Sequence, residues 1–210
     1  MPAVLLLGDS QAGNPGAAAK QALEAQGYSV TQVHNDGQSP VAYVNTPSLW
    51  SQYTGLAAGK DIIVLIFGHN SPAGTATSNA LIRMRDGVQP PVLMTGPPMY
   101  PSTANPTSSG QPSQTVGAAL RDQNAGIFGS RYIDAWPSTP VDLARDAAGW
   151  HLTPASAQGW GQTIAAAVIK ARAFGGSASL PFGLSPMAAA TAALGTAAVG
   201  VIFTLLWQRR

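Results

Sequence analysis

Ser10 stands in the stretch "AVLLLGDSQAGNPG", where the apolar run from Ala3 to Leu7 stops on Gly8-Asp9-Ser10. A hydroxyl at the end of a buried strand is placed to act as a nucleophile. Ser10, or Asn14 just beyond it, is equally suited to cap a helix N-terminus. A second apolar run, "DIIVLIF", ends in Gly68-His69-Asn70. The Asn70 amide can donate there to a developing oxyanion, an interaction worth on the order of 3 kcal/mol when preorganised. Gly37, in "VHNDGQSP", offers an unhindered backbone N–H to the same oxygen, although Asn-Asp-Gly is also ordinary turn chemistry. His151, in "GWHLTPASAQGWGQ", comes just before a stretch that Thr153 would cap, with Pro154 at the first helical position. After the last strand of a sheet such a histidine is a candidate general base; elsewhere it is a polar loop residue.

These groups are useful only if the chain brings them to one place, and its alternating pattern predicts how. Segments 4–7, 28–33, 61–67, 91–96 and 131–134 read as strands, and two of them are near-continuous apolar runs suited to burial on both faces. Helical stretches are expected at 16–26, 48–58, 75–85, 113–124 and 153–174. Such alternation implies a mostly parallel sheet with helices on both faces. Ligands of such sheets bind beyond the carboxyl ends of the strands, which is where all four groups fall.

Composition narrows the function classes. Only 10% of the 210 residues are charged, the formal net charge is +2, and no basic run is present, so a nucleic-acid partner is not expected. The sequence has no cysteine, which removes disulfides and thiolate metal sites and leaves the redox compartment open. Nothing in it calls for a metal or another cofactor.

Taken in chain order, Ser10, Gly37, Asn70 and His151 make the sequence resemble the SGNH (GDSL-type) hydrolase family. The resemblance spans about residues 3–172 and rests on "GDS", "NDGQS", "GHN" and "HLTPAS", with "GPP" and "YIDAW" between them. It implies a three-layer, flavodoxin-like α/β fold with a five-stranded parallel sheet. It also implies that Ser10 is the nucleophile, that His151 is the base, and that Ser10, Gly37 and Asn70 form the oxyanion hole. Asp9 then serves as an acceptor for loop N–H groups and takes no part in the chemistry. The pattern departs from the family at the third triad member, whose usual position, three before the histidine, holds Ala148. Asp146, five before, is the candidate acid if the loop bulges; Asp142 is a poorer one, and a Ser–His dyad oriented by a backbone carbonyl is the alternative. His69 replaces the family's small or hydroxyl residue, and it either lines the pocket or belongs to a surface loop, as does His34.

The implied activity is hydrolysis of acyl esters through an acyl-enzyme, with acetylated polysaccharide or peptidoglycan sugars among the candidate substrates. The Pro/Ser/Thr-rich connection 97–114 should overhang the site. Tyr100, Trp136 and Trp150 near that rim read either as a carbohydrate platform or, for the tryptophans, as core packing. Beyond a catalytic domain at 1–175 and a Gly/Ser/Pro linker at 176–186, residues 187–207 carry no charge and reach Trp207 ahead of Arg209 and Arg210. Twenty-one helical residues at about 1.5 Å each span the roughly 30 Å apolar layer of a bilayer, so a C-terminal transmembrane helix is expected. Small residues four apart, Ala188, Ala192, Thr196 and Gly200, favour self-association into a homo-oligomer. The N-terminal region lacks a basic segment before its apolar run, so no cleaved signal peptide is expected. A membrane-associated esterase and a virion-associated protein delivered to a host envelope both fit. The reading from another class is a non-catalytic module of a membrane or phage assembly that keeps the fold.

Overall fold

The computed structural model describes residues 1–100, 113–147 and 149–173. Its five strands follow the apolar runs: β1 (Ala3–Gly8), β2 (Ser29–His34), β3 (Ile62–Ile66), β4 (Val92–Thr95) and β5 (Tyr132–Ile133). All pair in parallel, in the order β2-β1-β3-β4-β5. Between and after them lie α1 (Gly13–Glu24), α2 (Pro40–Asn45), α3 (Pro47–Ala57), α4 (Thr75–Asp86), α5 (Gln114–Phe128) and α6 (Gln158–Ala173). This is the three-layer α/β architecture that the alternation predicts.

The period of two along each strand splits the core into two layers. Val4, Leu6, Ile62, Val64 and Ile66 face α1 and α6, where they meet Ala19, Leu23, Trp160, Ile164 and Val168. Leu5, Leu7, Ile63 and Leu65 face the other side and meet Tyr43, Tyr53, Leu81 and Met84 of α2, α3 and α4. The central strands β1 and β3 are therefore covered on both faces, which is why they read as unbroken apolar runs. Trp160, fully buried on α6, spends its indole N–H on the Thr95 hydroxyl at 2.9 Å, tying that helix to the end of β4.

Three boundaries depart from expectation. α2 was not anticipated, because six residues are too few to show a helical period. Its signal is local: Pro40 opens it, and the Ser39 hydroxyl accepts the Ala42 N–H at 3.1 Å. Thr153 does not cap the last helix. Its carbonyl and hydroxyl instead take the N–H groups of Ala157 and Ser156 in a preceding turn, and α6 begins at Gln158. Neither Ser10 nor Asn14 caps α1; a 3-10 turn over Ser10–Ala12, capped by the Asp9 carboxylate, intervenes.

The linker at 176–186 and the expected membrane helix at 187–207 lie outside the described residues, as does most of the 97–114 connection. Among the described residues no helix is long and apolar enough to cross a membrane.

Candidate active site

β1 delivers Ser10 to the carboxyl edge of the sheet through a close approach of two strands. A Cβ on Gly8 would stand 1.8 Å from the Ile66 carbonyl oxygen, so only glycine lets β1 and β3 come this near. The Asp9 N–H then bonds that same carbonyl at 3.3 Å. Asp9 is fully buried, and its carboxylate collects the Gln11 N–H at 2.9 Å, the Gly68 N–H at 2.9 Å and the Asn70 amide at 2.8 Å. Burial pushes its pKa up to about 6, against hydrogen bonds that pull it down. Asp9 is thus the acceptor that knits the Ser10 turn to the Gly68–Asn70 loop.

His151 lies 2.9 Å from Ser10, Nε2 to Oγ. Its other ring nitrogen, Nδ1, lies 2.6 Å from Asp146 Oδ2. An ionised carboxylate only accepts hydrogen bonds, so Nδ1 carries the proton and Nε2 turns a lone pair toward the Ser10 hydroxyl. Asp146 reaches the ring because residues 145–147 and 149–152 run opposite each other as a small antiparallel hairpin. Arg145 and Leu152 form its bridge, the Asp146 N–H donates to the His151 carbonyl at 2.8 Å, and Gly149 turns the chain at a φ of +77°. Asp146 and His151 therefore face each other across the hairpin, and the five-residue spacing ceases to matter. Asp146 Oδ1 also accepts the N–H groups of Trp150 and His151 at 2.9 and 3.3 Å. Desolvation pushes the Asp146 carboxyl up, but these hydrogen bonds outweigh it and leave the group below the usual carboxylate range. Asp142, the poorer candidate, makes no contact with the ring among the described hydrogen bonds.

Asn70 donates from the same amide nitrogen to Asp9 and, at a long 3.5 Å, to the Gln38 carbonyl. The second donor is weakly held and available to another acceptor. Gly37, exposed at a φ of +72°, sits in a turn closed by the Gln38 N–H and the Asn35 carbonyl at 3.1 Å. The Asn35 N–H binds the Gly8 carbonyl at 3.0 Å, which hangs this turn beside the end of β1. Turn chemistry accounts for the conformation of Gly37, and the bond to the Gly8 carbonyl ties its loop to the end of β1.

His69 is half-buried beneath this surface. Its ring meets Tyr100 and Trp150 edge-on, with centroids 5.5 Å away in each case, and its Nδ1 shares a hydrogen bond of 3.0 Å with the Tyr100 hydroxyl. Desolvation lowers its pKa to about 4, with a smaller effect from His151, so the ring is neutral at physiological pH. Tyr100 does not belong to a carbohydrate platform: it is fully buried and packs against Gly117 of α5. Trp136 and Trp150 are only partly covered; Trp136 lies under the Arg121 guanidinium at 4.7 Å. His34 is exposed, 3.8 Å from Asp36.

Three contributors escaped sequence reasoning. Gln11 donates to the Trp150 carbonyl at 3.2 Å, Asn14 to the Leu152 carbonyl at 2.7 Å, and Arg145 to the carbonyls of Trp150 and Met99. No motif marks them, because each finds its partner only through tertiary contact. Among the described residues no three His, Asp or Glu side chains converge to hold a metal ion. A separate cavity, lined by Lys60, Asp61, Gly87 and Pro91, opens at the amino-terminal edge of the sheet and includes none of these groups.

No protein-family model matches the chain, and no curated protein matches it by sequence. Solved structures do match. A carbohydrate acetylesterase family member from Sinorhizobium meliloti superposes with a TM-score of 0.61 at 18% identity, covering 81% of this chain and 98% of the other. The aryl esterase of M. smegmatis gives 0.57 at 16%, covering 81% and 99%. The catalytic domain of the Streptococcus pneumoniae peptidoglycan O-acetyltransferase A gives 0.53 at 16%, covering 82% and 95%.

Proposed function

From its SGNH (GDSL-type) hydrolase fold, we propose that this chain is a serine esterase that hydrolyses acyl esters through an acyl-enzyme. The observation that carries the reading is the unbroken relay from Ser10 Oγ to His151 at 2.9 Å and from His151 to Asp146 at 2.6 Å. In the proposed reaction His151 Nε2 takes the Ser10 proton as Oγ attacks the ester carbonyl carbon. The resulting oxyanion is held by the N–H groups of Ser10 and Gly37 and by the Asn70 amide. Collapse of the intermediate breaks the bond to the alcohol oxygen, which leaves with the proton from Nε2. Water then repeats the sequence: His151 deprotonates it, it attacks the acyl carbon, and Ser10 Oγ is released and reprotonated. Asp146 holds the imidazole in the required tautomer and offsets its charge while the proton is in transit.

Short acyl groups on sugars are the substrate class we favour. The support is the kind of protein the fold resembles, which includes a carbohydrate acetylesterase family member and a peptidoglycan O-acetyltransferase domain. The uncharged segment 187–207 supports attachment to a membrane, with self-association through its small-residue face.

The test is p-nitrophenyl acetate turnover and fluorophosphonate labelling by the full chain, compared with Ser10→Ala. Serine-dependent turnover with one label on Ser10 is expected. Absence of both would refute the esterase and leave the non-catalytic module. Liposome flotation with and without residues 187–210 tests the membrane tether separately, and loss of flotation on deletion is expected.

A further inference from the structure

Ser10 and His151 are 141 residues apart in the chain, and among the described residues no backbone-to-backbone hydrogen bond joins the hairpin 145–152 to the turn that bears Ser10. The hairpin's internal bonds set Asp146 against His151 but say nothing of where the pair sits relative to the serine. That placement falls to side chains, and two of them come from the chain just after the serine, Gln11 from its 3-10 turn and Asn14 from the first turn of α1. Gln11 Nε2 donates to the carbonyl of Trp150, the residue before His151, and Asn14 Nδ2 donates to the carbonyl of Leu152, the residue after it.

We propose that Gln11 and Asn14 are positioning residues: a pair of amides that grip the peptide carbonyls flanking His151 and so fix its imidazole against the Ser10 hydroxyl. The inference rests on the esterase reading above. Gln11 is suited to the task because it cannot wander. It is only 2% exposed, its own N–H is held by Asp9, and its stem crosses Gly68 so closely that a Cβ there would lie 2.4 Å from Gln11 Cγ. The carbonyl it grips also receives Arg145 Nη1 at 3.3 Å, and Leu152 is buried, so both ends of the gripped segment are defined. A displacement of about 1 Å between reacting groups can cost roughly a hundredfold in rate, so two hydrogen bonds spanning the histidine are enough to matter.

The test uses the full chain with Gln11→Leu, Asn14→Ala and the pair together. The double variant should lose roughly a hundredfold in kcat for p-nitrophenyl acetate while KM stays within about twofold. In a His151→Ala background the same pair should change fluorophosphonate labelling by less than about twofold, because its effect passes through the histidine. An equal loss with and without His151, or a rise in KM alone, overturns the proposal. A readout independent of turnover is the His151 Nε2 nitrogen resonance. The double variant should shift it as Ser10→Ala does, and a resonance left as in the wild type also overturns the proposal. If the wild-type chain neither turns over nor labels, the esterase reading falls while this resonance still decides the clamp. Asn14→Ala, at a half-exposed position, carries the same comparisons on a smaller scale if Gln11→Leu does not fold.

Discussion

Asp146→Asn tests the relay at its most informative point, because it keeps shape and removes one acceptor. Asp146 accepts three hydrogen bonds: Oδ1 from the N–H groups of Trp150 and His151, and Oδ2 from the imidazole. Asparagine has one acceptor oxygen, and the two backbone donors claim it. Its NH2 then faces Nδ1, which must give up its proton to receive a hydrogen bond. The imidazole becomes the Nε2–H tautomer, and the Ser10 hydroxyl meets a donor where it needs a base. In the buried triad of a serine protease this error costs about 10⁴ in kcat. Here the side chains are 32% exposed for His151 and 39% for Asp146, so water offsets part of the loss. The expected fall is roughly 10²–10³ in kcat, or about 3–4 kcal/mol of barrier, with KM within about twofold. Asp146→Ala, which admits water and imposes no wrong donor, should be milder by roughly tenfold on the same tautomer argument. Steady-state hydrolysis of p-nitrophenyl acetate measures all three proteins. The reasoning is refuted if the asparagine variant is no slower than the alanine variant, or within about threefold of wild type.

Asn70→Ala should lower kcat by roughly a hundredfold through loss of an oxyanion donor, and a loss under about threefold would remove Asn70 from the oxyanion hole. Asp9 governs a pH effect on stability. Its pKa, raised to about 6, means that the folded chain keeps a proton that the unfolded chain has released above the ordinary carboxylate range. Its contribution to stability therefore declines as pH rises from about 4 to about 6, by up to roughly 3 kcal/mol. Urea midpoints across that window should fall more steeply in the wild type than in Asp9→Asn, and equal slopes would contradict the assignment.

The strands were legible because residues such as Leu5, Leu6, Ile63 and Val64 fill both faces of a covered sheet, and their runs are too short for a buried helix. Ser10, Asn70 and His151 were legible as chemistry at the ends of apolar runs or before a turn. The reach of Asp146 was not, because linear spacing measures distance along the chain and a hairpin cancels it. Thr153 misled for a related reason: a hydroxyl ahead of proline caps a turn as readily as a helix. Tyr100 read as a rim aromatic because its loop is polar, yet its ring fills the space left by Gly117 and its hydroxyl is paired with His69. Gln11 and Asn14 left no pattern, since the carbonyls they bind lie 139 and 138 residues away.

The hairpin that bears both Asp146 and His151 divides the site into two bodies. One is welded to the sheet and holds the hydroxyl; the other is a short peninsula on which acid and imidazole ride together. Any excursion of the peninsula parts serine from histidine without dismantling the acid–imidazole couple.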